Sequence, residues 1–190
     1  MEIPRRADES AAIPVPPGRQ SMESEILKSA SIVIVDDEEM NLRILRRFLE
    51  GEGYTSVFTT TDGREVISRL QAQGADLVIM DLYMPFPDGF VLLDWIGAAV
   101  GKDEYLPILV VTADFGIETR NRALALGAKD FLTKPFDFFE ARYRIRNLLQ
   151  ARLMFRELKA RRAADPRAAD EAAEAAETGD AEWNEVSSGE

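Results

Sequence analysis

Carboxylates, a hydroxyl and an amine stand at or directly after the ends of four short apolar runs in this chain. In order along the sequence these side chains are Asp36 and Asp37, Asp81, Thr112, and Lys134. The apolar runs are rich in β-branched residues, as in strands that are buried on both faces of a parallel sheet. Because the carboxyl ends of such strands meet at one sheet edge, where ligands bind, we expect these side chains to converge on one crevice.

Phosphoryl transfer to a carboxylate is the chemistry that this set of side chains predicts. Clustered carboxylates repel one another and need a cation, and an oxygen-only site suits a hard ion such as Mg²⁺. The metal would neutralise charge on an incoming phosphoryl group. Asp81 is the best nucleophile candidate, since it stands alone on the central strand beside the Asp36–Asp37 pair. Lys134 would pair with a phosphoryl oxygen as a point charge, and the Thr112 hydroxyl could donate a hydrogen bond to another.

Each of these residues taken singly also has an ordinary structural explanation. An Asp pair after a strand is commonly a helix N-cap followed by a solvated acid. A strand-end Asp or Thr often caps a turn, and a Lys before Pro usually lies at the surface. These explanations do not account for the occurrence of such polar residues at four strand ends of the same chain.

The segments around these positions alternate between strand and helix patterns. Predicted strands cover residues 31–35, 54–59, 76–80, 107–112 and 129–133. Predicted helices cover residues 40–50, 63–73, 89–99 and 116–126, and a fifth begins near Phe136 and continues to about Ala164. Strands alternating with helices through short loops predict an α/β domain with a parallel sheet covered on both faces.

The composition changes outside this alternation and suggests four regions. They are a disordered N-terminal segment (1–30) with a short helical turn inside 22–29, a folded domain (31–150), an extension of the fifth helix (151–164) and an acidic disordered tail (165–190). Arg152 and Arg156 interrupt the apolar spacing of the extension, which fits either a dimerisation helix or a linker helix. Pairing of the acidic tail with the bases of this helix is a further hypothesis.

Two missing residue types exclude several kinds of site. The 190 residues contain neither cysteine nor histidine, which excludes disulfides, thiolate and histidine metal sites, and nucleophile pairs that use histidine. A phosphohistidine donor must therefore belong to another protein. The net charge of −11 argues against nucleic acid as a partner. No apolar run reaches membrane-spanning length or resembles a signal peptide, so we expect a cytoplasmic protein without a membrane partner.

Several short strings resemble the receiver domain of two-component response regulators, the CheY-like family. They are VIVDDE at 33–38, DLYMP at 81–85, DG at 88–89, VTA at 111–113, GAKDF at 127–131 and KPF at 134–136. The resemblance covers residue 31 to about residue 150. It implies a flavodoxin-like, doubly wound, five-stranded parallel sheet in the order 2-1-3-4-5, to which this chain adds an extended C-terminal helix.

The resemblance also implies a role for each polar residue. Asp81 would be the phosphoacceptor, and Asp37, Asp81 and the backbone carbonyl of Tyr83 would bind Mg²⁺ directly. Asp36 would act through a metal-bound water. Thr112 and Lys134 would engage the phosphoryl oxygens, and the Lys-Pro bond after Lys134 would be cis.

Three further residues match family positions outside the phosphate-binding set. Phe131 matches the family's switch aromatic, coupled to the movement of Thr112, although an ordinary core aromatic would also suit its position. Tyr83 and Asp114 match positions that tune the lifetime of the acyl phosphate.

In this family the phosphoryl donor is a sensor histidine kinase or a histidine phosphotransfer protein. We expect the chain to catalyse only its own phosphorylation and dephosphorylation, and to signal to an unknown downstream protein in a phosphorelay. The expected contact surface is the face of helix four, strand five and helix five, which could also form a homodimer.

Three alternatives stay open at this point. A pseudo-receiver would be an interaction module that is not phosphorylated. A phosphohydrolase with an aspartate nucleophile typically has a second acid two residues later, where this chain has Tyr83. A nucleotide-binding flavodoxin-like protein would carry a Gly-rich phosphate loop, and the sequence contains neither common type.

Overall fold

The computed structural model describes residues 25–101, 103–114 and 116–165. The strands are β1 (Ser31–Val35), β2 (Ser56–Thr60), β3 (Leu77–Met80), β4 (Ile108–Thr112) and β5 (Asp130–Thr133). The helices that follow them in turn are α1 (Glu39–Gly51), α2 (Gly63–Gln73), α3 (Gly89–Val100), α4 (Ile117–Ala125) and α5 (Phe138–Ala164). All strand pairs are parallel, in the order β2-β1-β3-β4-β5, so the predicted α/β fold and strand order are confirmed.

The sheet is buried on both faces because alternate side chains of each inner strand enter two different cores. Ile32 and Ile34 of β1 pack beneath α1 and α5. Val33 and Val35 of the same strand pack on the other side, beneath α2 and α3. The continuous apolar runs of the sequence are therefore explained by burial on both faces rather than by one amphipathic face.

Aspartates start three of the helices at the carboxyl edge of the sheet. The Asp62 carboxylate accepts from the Arg64 N–H at 2.9 Å and caps α2. Asp88 caps α3 and Asp137 caps α5 in the same way. Each cap binds backbone N–H groups that a helix start leaves without a partner. These caps set the points at which the chain turns from the site edge into the covering helices.

The N-terminal limit of the folded domain lies earlier than the sequence predicted. Residues 25–28 form a short helical segment, and Leu27 and Ala30 are buried in the core beneath α1 and α5. The prediction of disorder is therefore wrong for residues 25–30, because burial of Leu27 and Ala30 anchors this segment. Residues 1–24 and the predicted acidic tail from residue 166 onward lie outside the described residues.

The last turns of α5 pack against the protein's own amino-terminal sheet edge. Arg152 pairs with Glu104 at 3.1 Å, and Arg156 pairs with Asp76 at 2.9 Å. Lys159 also pairs with Glu104. Three of the bases that we considered as partners for an acidic tail thus bind acids that precede β3 and β4. No helix in the described part of the chain, α5 included, is long and apolar enough to cross a membrane.

Candidate functional site

Three carboxylates meet at the carboxyl edge of the two central strands. Asp36 and Asp37 follow β1, Asp81 follows β3, and these strands are neighbours in the sheet. One oxygen from each carboxylate lies within 4.8 Å of an oxygen of the others. Asp36 and Asp81 are only 2% and 8% exposed, whereas Asp37 faces solvent. Such a concentration of negative charge, partly out of water, requires cations nearby.

Lys134 supplies one of those cations from the end of β5. Its Nζ donates to Asp36 Oδ2 at 2.7 Å and to Asp81 Oδ2 at 2.6 Å. Burial alone lowers the pKa of Lys134, but hydrogen bonds and charge from Asp36 and Asp81 outweigh it, so the pKa lies above the usual 10.5. The three carboxylates and this ammonium together carry a charge of −2.

The backbone places Lys134 against the neighbouring strand. Its N–H donates to the Thr112 carbonyl at 2.9 Å, which extends the β4–β5 ladder by one residue. The Lys134–Pro135 peptide bond is cis, as predicted.

Asp36 has polar partners at both of its carboxylate oxygens. Lys134 occupies Oδ2, while Oδ1 accepts from the Glu38 N–H at 3.0 Å and from Asn41 Nδ2 at 2.9 Å. Asn41 is a site residue that the sequence analysis missed, and its only signal was its place in the first turn of the helix after Asp36. With its oxygens engaged by protein groups, Asp36 fits an indirect role in metal binding better than a direct one.

The donor set fits a hard divalent cation. Asp37 is exposed, and among the described residues the Tyr83 N–H, at 3.1 Å, is the one donor to Asp81 Oδ1. Carboxylate oxygens with a residual charge of −2 match the preference of Mg²⁺ for oxygen ligands and partial hydration. Asp37 and Asp81 are the residues that could hold such an ion directly.

Glycine at the start of α3 lets the helix approach the end of β3 closely. A Cβ at Gly89 would lie 2.4 Å from Leu82 Cα and 2.6 Å from the Asp81 carbonyl oxygen, both backbone atoms. The Gly89 N–H donates to the Leu82 carbonyl at 2.9 Å and closes this loop. The loop also contains a cis Phe86–Pro87 bond that the sequence did not predict.

Thr112 ends β4 with its side chain almost fully buried. It is 2% exposed, and its Oγ1 accepts from the Asp114 N–H at 3.3 Å. The neighbouring strand on one side leads to Asp81 and the strand on the other side leads to Lys134. Thr112 therefore stands between the carboxylate and the amine in the order of the sheet.

A second polar group lies where the loops after β3 and β4 meet. The Tyr83 hydroxyl donates to Asp114 Oδ2, and so does Thr119 Oγ1 at 2.8 Å. The Tyr83 hydrogen bond, with the Gly116 N–H and Thr119, holds the pKa of Asp114 below its usual value. The same bond raises the pKa of Tyr83, so both shifts favour a neutral phenol beside an ionised carboxylate. Tyr83 and Asp114 were candidates from the sequence, whereas Thr119, the residue that links them to α4, was not.

Phe131 in β5 is half-buried against the core beneath α2 and α3. The Arg120 guanidinium of α4 lies 5.6 Å from the centre of its ring. Arg120 adds a cation–π contact to the apolar packing of this ring.

Comparison with known proteins agrees with this geometry. The family model described as "Response regulator receiver domain" matches residues 32–146, more than half of the chain. Response regulator PleD of Caulobacter vibrioides is 35% identical over 143 residues, which cover 73% of this chain and 30% of that protein. Regulatory protein VanRc of Enterococcus gallinarum is 35% identical over 122 residues, which cover 64% of this chain and 51% of that protein. The chain thus spans about a third to a half of the length of these curated relatives.

Solved structures give the same result for the fold. The chemotaxis protein CheY4 of Vibrio cholerae superimposes with a TM-score of 0.57 at 27% identity, covering 63% of this chain and 98% of that one. A putative response regulator from Chloroflexus aurantiacus gives a TM-score of 0.57 at 30% identity, covering 64% of this chain and 98% of that one. With its parallel sheet and its cluster of three aspartates and a lysine, the chain belongs to the response regulator receiver domain family.

Proposed function

We propose that this receiver domain accepts a phosphoryl group on Asp81 from a phosphohistidine of a sensor kinase or a histidine phosphotransfer protein. The observation that carries the proposal is the bridge from Lys134 to Asp36 and Asp81, with Asp37 beside them. A fixed ammonium next to a reactive carboxylate can stabilise charge that develops on a phosphoryl group. The 190 residues contain no histidine, which supports a donor outside this sequence.

The chemical step conserves the phosphoryl group. An Asp81 carboxylate oxygen attacks phosphorus, a P–O bond forms, and the P–N bond to the donor imidazole breaks. The released imidazole nitrogen takes a proton from solvent. Hydrolysis of the acyl phosphate by water later returns Asp81 as a carboxylate and releases inorganic phosphate, so the chain acts only on its own adduct.

Mg²⁺ is the cofactor in this proposal. Asp37, Asp81 and the Tyr83 backbone carbonyl would hold it directly, and Asp36 would contribute through a water. The ion supplies charge neutralisation at the phosphoryl group. Lys134 and the Thr112 hydroxyl bind the phosphoryl oxygens.

Output by protein–protein contact follows from the remaining surface. On phosphorylation of Asp81, movement of Thr112 and Phe131 would alter the face formed by α4, β5 and α5. A downstream protein or a second copy of the chain would bind that face. Leu124 of α4 and Phe139 of α5 are large apolar side chains that stay exposed. The net charge of −11 supports a protein rather than a nucleic acid as partner, and the cytoplasm is the expected location.

One labelling experiment tests the proposal. The protein is incubated with Mg²⁺ and acetyl phosphate, and separately with beryllofluoride, and the intact mass is measured. Wild type should gain one phosphoryl group per chain, Asp81→Asn should gain none, and Asp94→Asn, at an exposed position of α3, should behave as wild type. Release of many equivalents of phosphate from a phosphomonoester such as p-nitrophenyl phosphate, which does not phosphorylate a receiver, would identify a hydrolase. Failure of wild type to form either adduct would identify a pseudo-receiver and refute the proposal.

A further inference from the structure

Three hydrogen-bond donors from separate parts of the chain hold the Asp114 carboxylate. The Tyr83 hydroxyl comes from the loop after β3, and the Thr119 hydroxyl from the first turn of α4. The third donor is the Gly116 N–H, which binds Asp114 Oδ1 at 2.7 Å. Hydrogen bonds to an ionised carboxylate are stronger than neutral ones. The loop that contains Asp114 is therefore anchored on two sides.

The backbone N–H of Asp114 determines where the Thr112 hydroxyl lies. The Asp114 N–H donates to Thr112 Oγ1 at 3.3 Å. A threonine hydroxyl has one proton to donate and two lone pairs, so this contact fixes the oxygen while leaving its proton for another acceptor. Threonine is also stiff about χ1, which limits other placements of the oxygen.

We propose that Tyr83 and Thr119 are positioning residues that, by anchoring Asp114, aim the Thr112 hydroxyl at the phosphoryl oxygens of the Asp81 adduct. The inference rests on the proposed function, because it concerns how that adduct is formed. It adds a role for the Tyr83 side chain, which is separate from the role of the Tyr83 backbone carbonyl as a metal ligand.

The packing of α4 explains why such an anchor is needed. Ala123 is the only buried residue among the nine of this helix. Apolar burial therefore holds the helix weakly, and the bond from Thr119 to Asp114 ties its first turn to the loop. Tyr83 provides the corresponding tie on the β3 side.

Tyr83→Phe removes one hydroxyl and leaves the backbone and the ring in place. At saturating acetyl phosphate we expect adduct formation to slow roughly two- to tenfold, the factor that corresponds to one hydrogen bond. The donor concentration for half-maximal rate and the Mg²⁺ affinity should stay unchanged. Tyr143→Phe, at an exposed position of α5, is the matched control and should keep the wild-type rate.

Thr119 offers a pair of variants that separate positioning from simple folding defects. Thr119→Val keeps the shape and loses the donor, so it should slow the reaction as Tyr83→Phe does. Thr119→Ser keeps the donor and should restore the rate to near wild type. Equal rates for the Val and Ser variants, or a wild-type maximal rate in Tyr83→Phe, would overturn the inference.

Nuclear magnetic resonance of the protein without phosphoryl donor tests the same geometry independently of the chemistry. Tyr83→Phe and Thr119→Val should shift the Thr112 methyl and the Asp114 amide signals, and Tyr143→Phe should leave both in place. Unmoved signals would contradict the inference. If the two variants shift these signals but the wild-type protein forms no Asp81 adduct, the proposed function is contradicted and the anchor is supported.

Discussion

Replacing Lys134 with methionine tests the electrostatic basis of the site. The substitution leaves an unbranched side chain one atom shorter and removes the ammonium that donates to Asp36 at 2.7 Å and to Asp81 at 2.6 Å. Both carboxylates are nearly buried and lose their common cation. We therefore expect a less stable protein that binds Mg²⁺ more tightly and no longer forms the adduct at a useful rate.

The size of the stability loss follows from the burial of the pair. Removing one partner of a fully buried ion pair destabilises a protein by about 3–5 kcal/mol. The Lys134 side chain is 19% exposed, so water screens the pair in part, and we expect about 2–3 kcal/mol at pH 7 without Mg²⁺. For a domain of this size that loss lowers the melting temperature by roughly 8 °C.

The pH dependence of this loss has a defined sign. The folded pKa of Lys134 is raised above 10.5, so its stabilising contribution is fully present below that pH. The contribution disappears as the pH rises through the folded pKa. The difference in free energy of unfolding between wild type and Lys134→Met that comes from this ammonium should be constant from pH 6 to 9. It should shrink above about pH 10.5.

Mg²⁺ binding separates the electrostatic role of Lys134 from its chemical role. Two unit charges 4 Å apart interact with an energy of about 4 kcal/mol at an effective dielectric constant of 20. Because Lys134 repels a cation bound at the same carboxylates, its removal should tighten Mg²⁺ binding by roughly tenfold or more. Urea denaturation with and without Mg²⁺, isothermal titration with Mg²⁺ and mass measurement of the adduct give the three readouts. A variant with wild-type stability, weaker Mg²⁺ binding or a wild-type rate of adduct formation would refute the reasoning.

Two further predictions concern the backbone and the C-terminal helix. Gly89→Ala should destabilise the protein by more than about 2 kcal/mol and slow adduct formation, because the new Cβ would collide with the Leu82 backbone. Gly97→Ala in the same helix has open space around its Cβ and should raise the free energy of unfolding by about 0.5–1 kcal/mol. Thermal unfolding checks both, and equal effects would contradict the close approach. Arg152→Ala should lower the free energy of unfolding by about 1–2 kcal/mol, because this half-buried guanidinium binds the acids before β3 and β4. Arg43→Ala, which breaks a solvent-exposed ion pair within α1, should change the free energy of unfolding by less than about 0.5 kcal/mol in urea denaturation. A similar loss in the Arg152 and Arg43 variants would show that α5 is not held by these contacts.

The extension of α5 changes the interpretation of the apolar spacing in that helix. Arg152 and Arg156 looked like interruptions of a coiled-coil seam, but both bind acids of the same domain. Leu153 beside them packs on the core beneath α1 and α5. One side of the extension is thus occupied within the chain. A homodimer through α4, β5 and α5 stays a prediction, and sedimentation with and without beryllofluoride would test it.

The sequence by itself determined the order of strands and helices and the residues that end the strands. Continuous β-branched runs occur where both faces of a strand are buried, so the period of the pattern reports the layer structure directly. The parallel sheet then brings Asp36, Asp81 and Lys134 to one edge. The composition adds that these 190 residues contain no histidine that could carry the phosphoryl group of the proposed donor.

Only the tertiary structure decided which side chains are in contact at that edge. Lys134 binds carboxylates 98 and 53 residues earlier in the chain, and Thr119 reaches Asp114 through a loop whose path no periodicity describes. The same is true of Asn41 and of the bases of α5, whose residue types are as common on exposed helix surfaces as in ion pairs. Hydrogen bonds and ion pairs depend on distances of a few ångströms between side chains, whereas sequence patterns report only which face of an element is apolar.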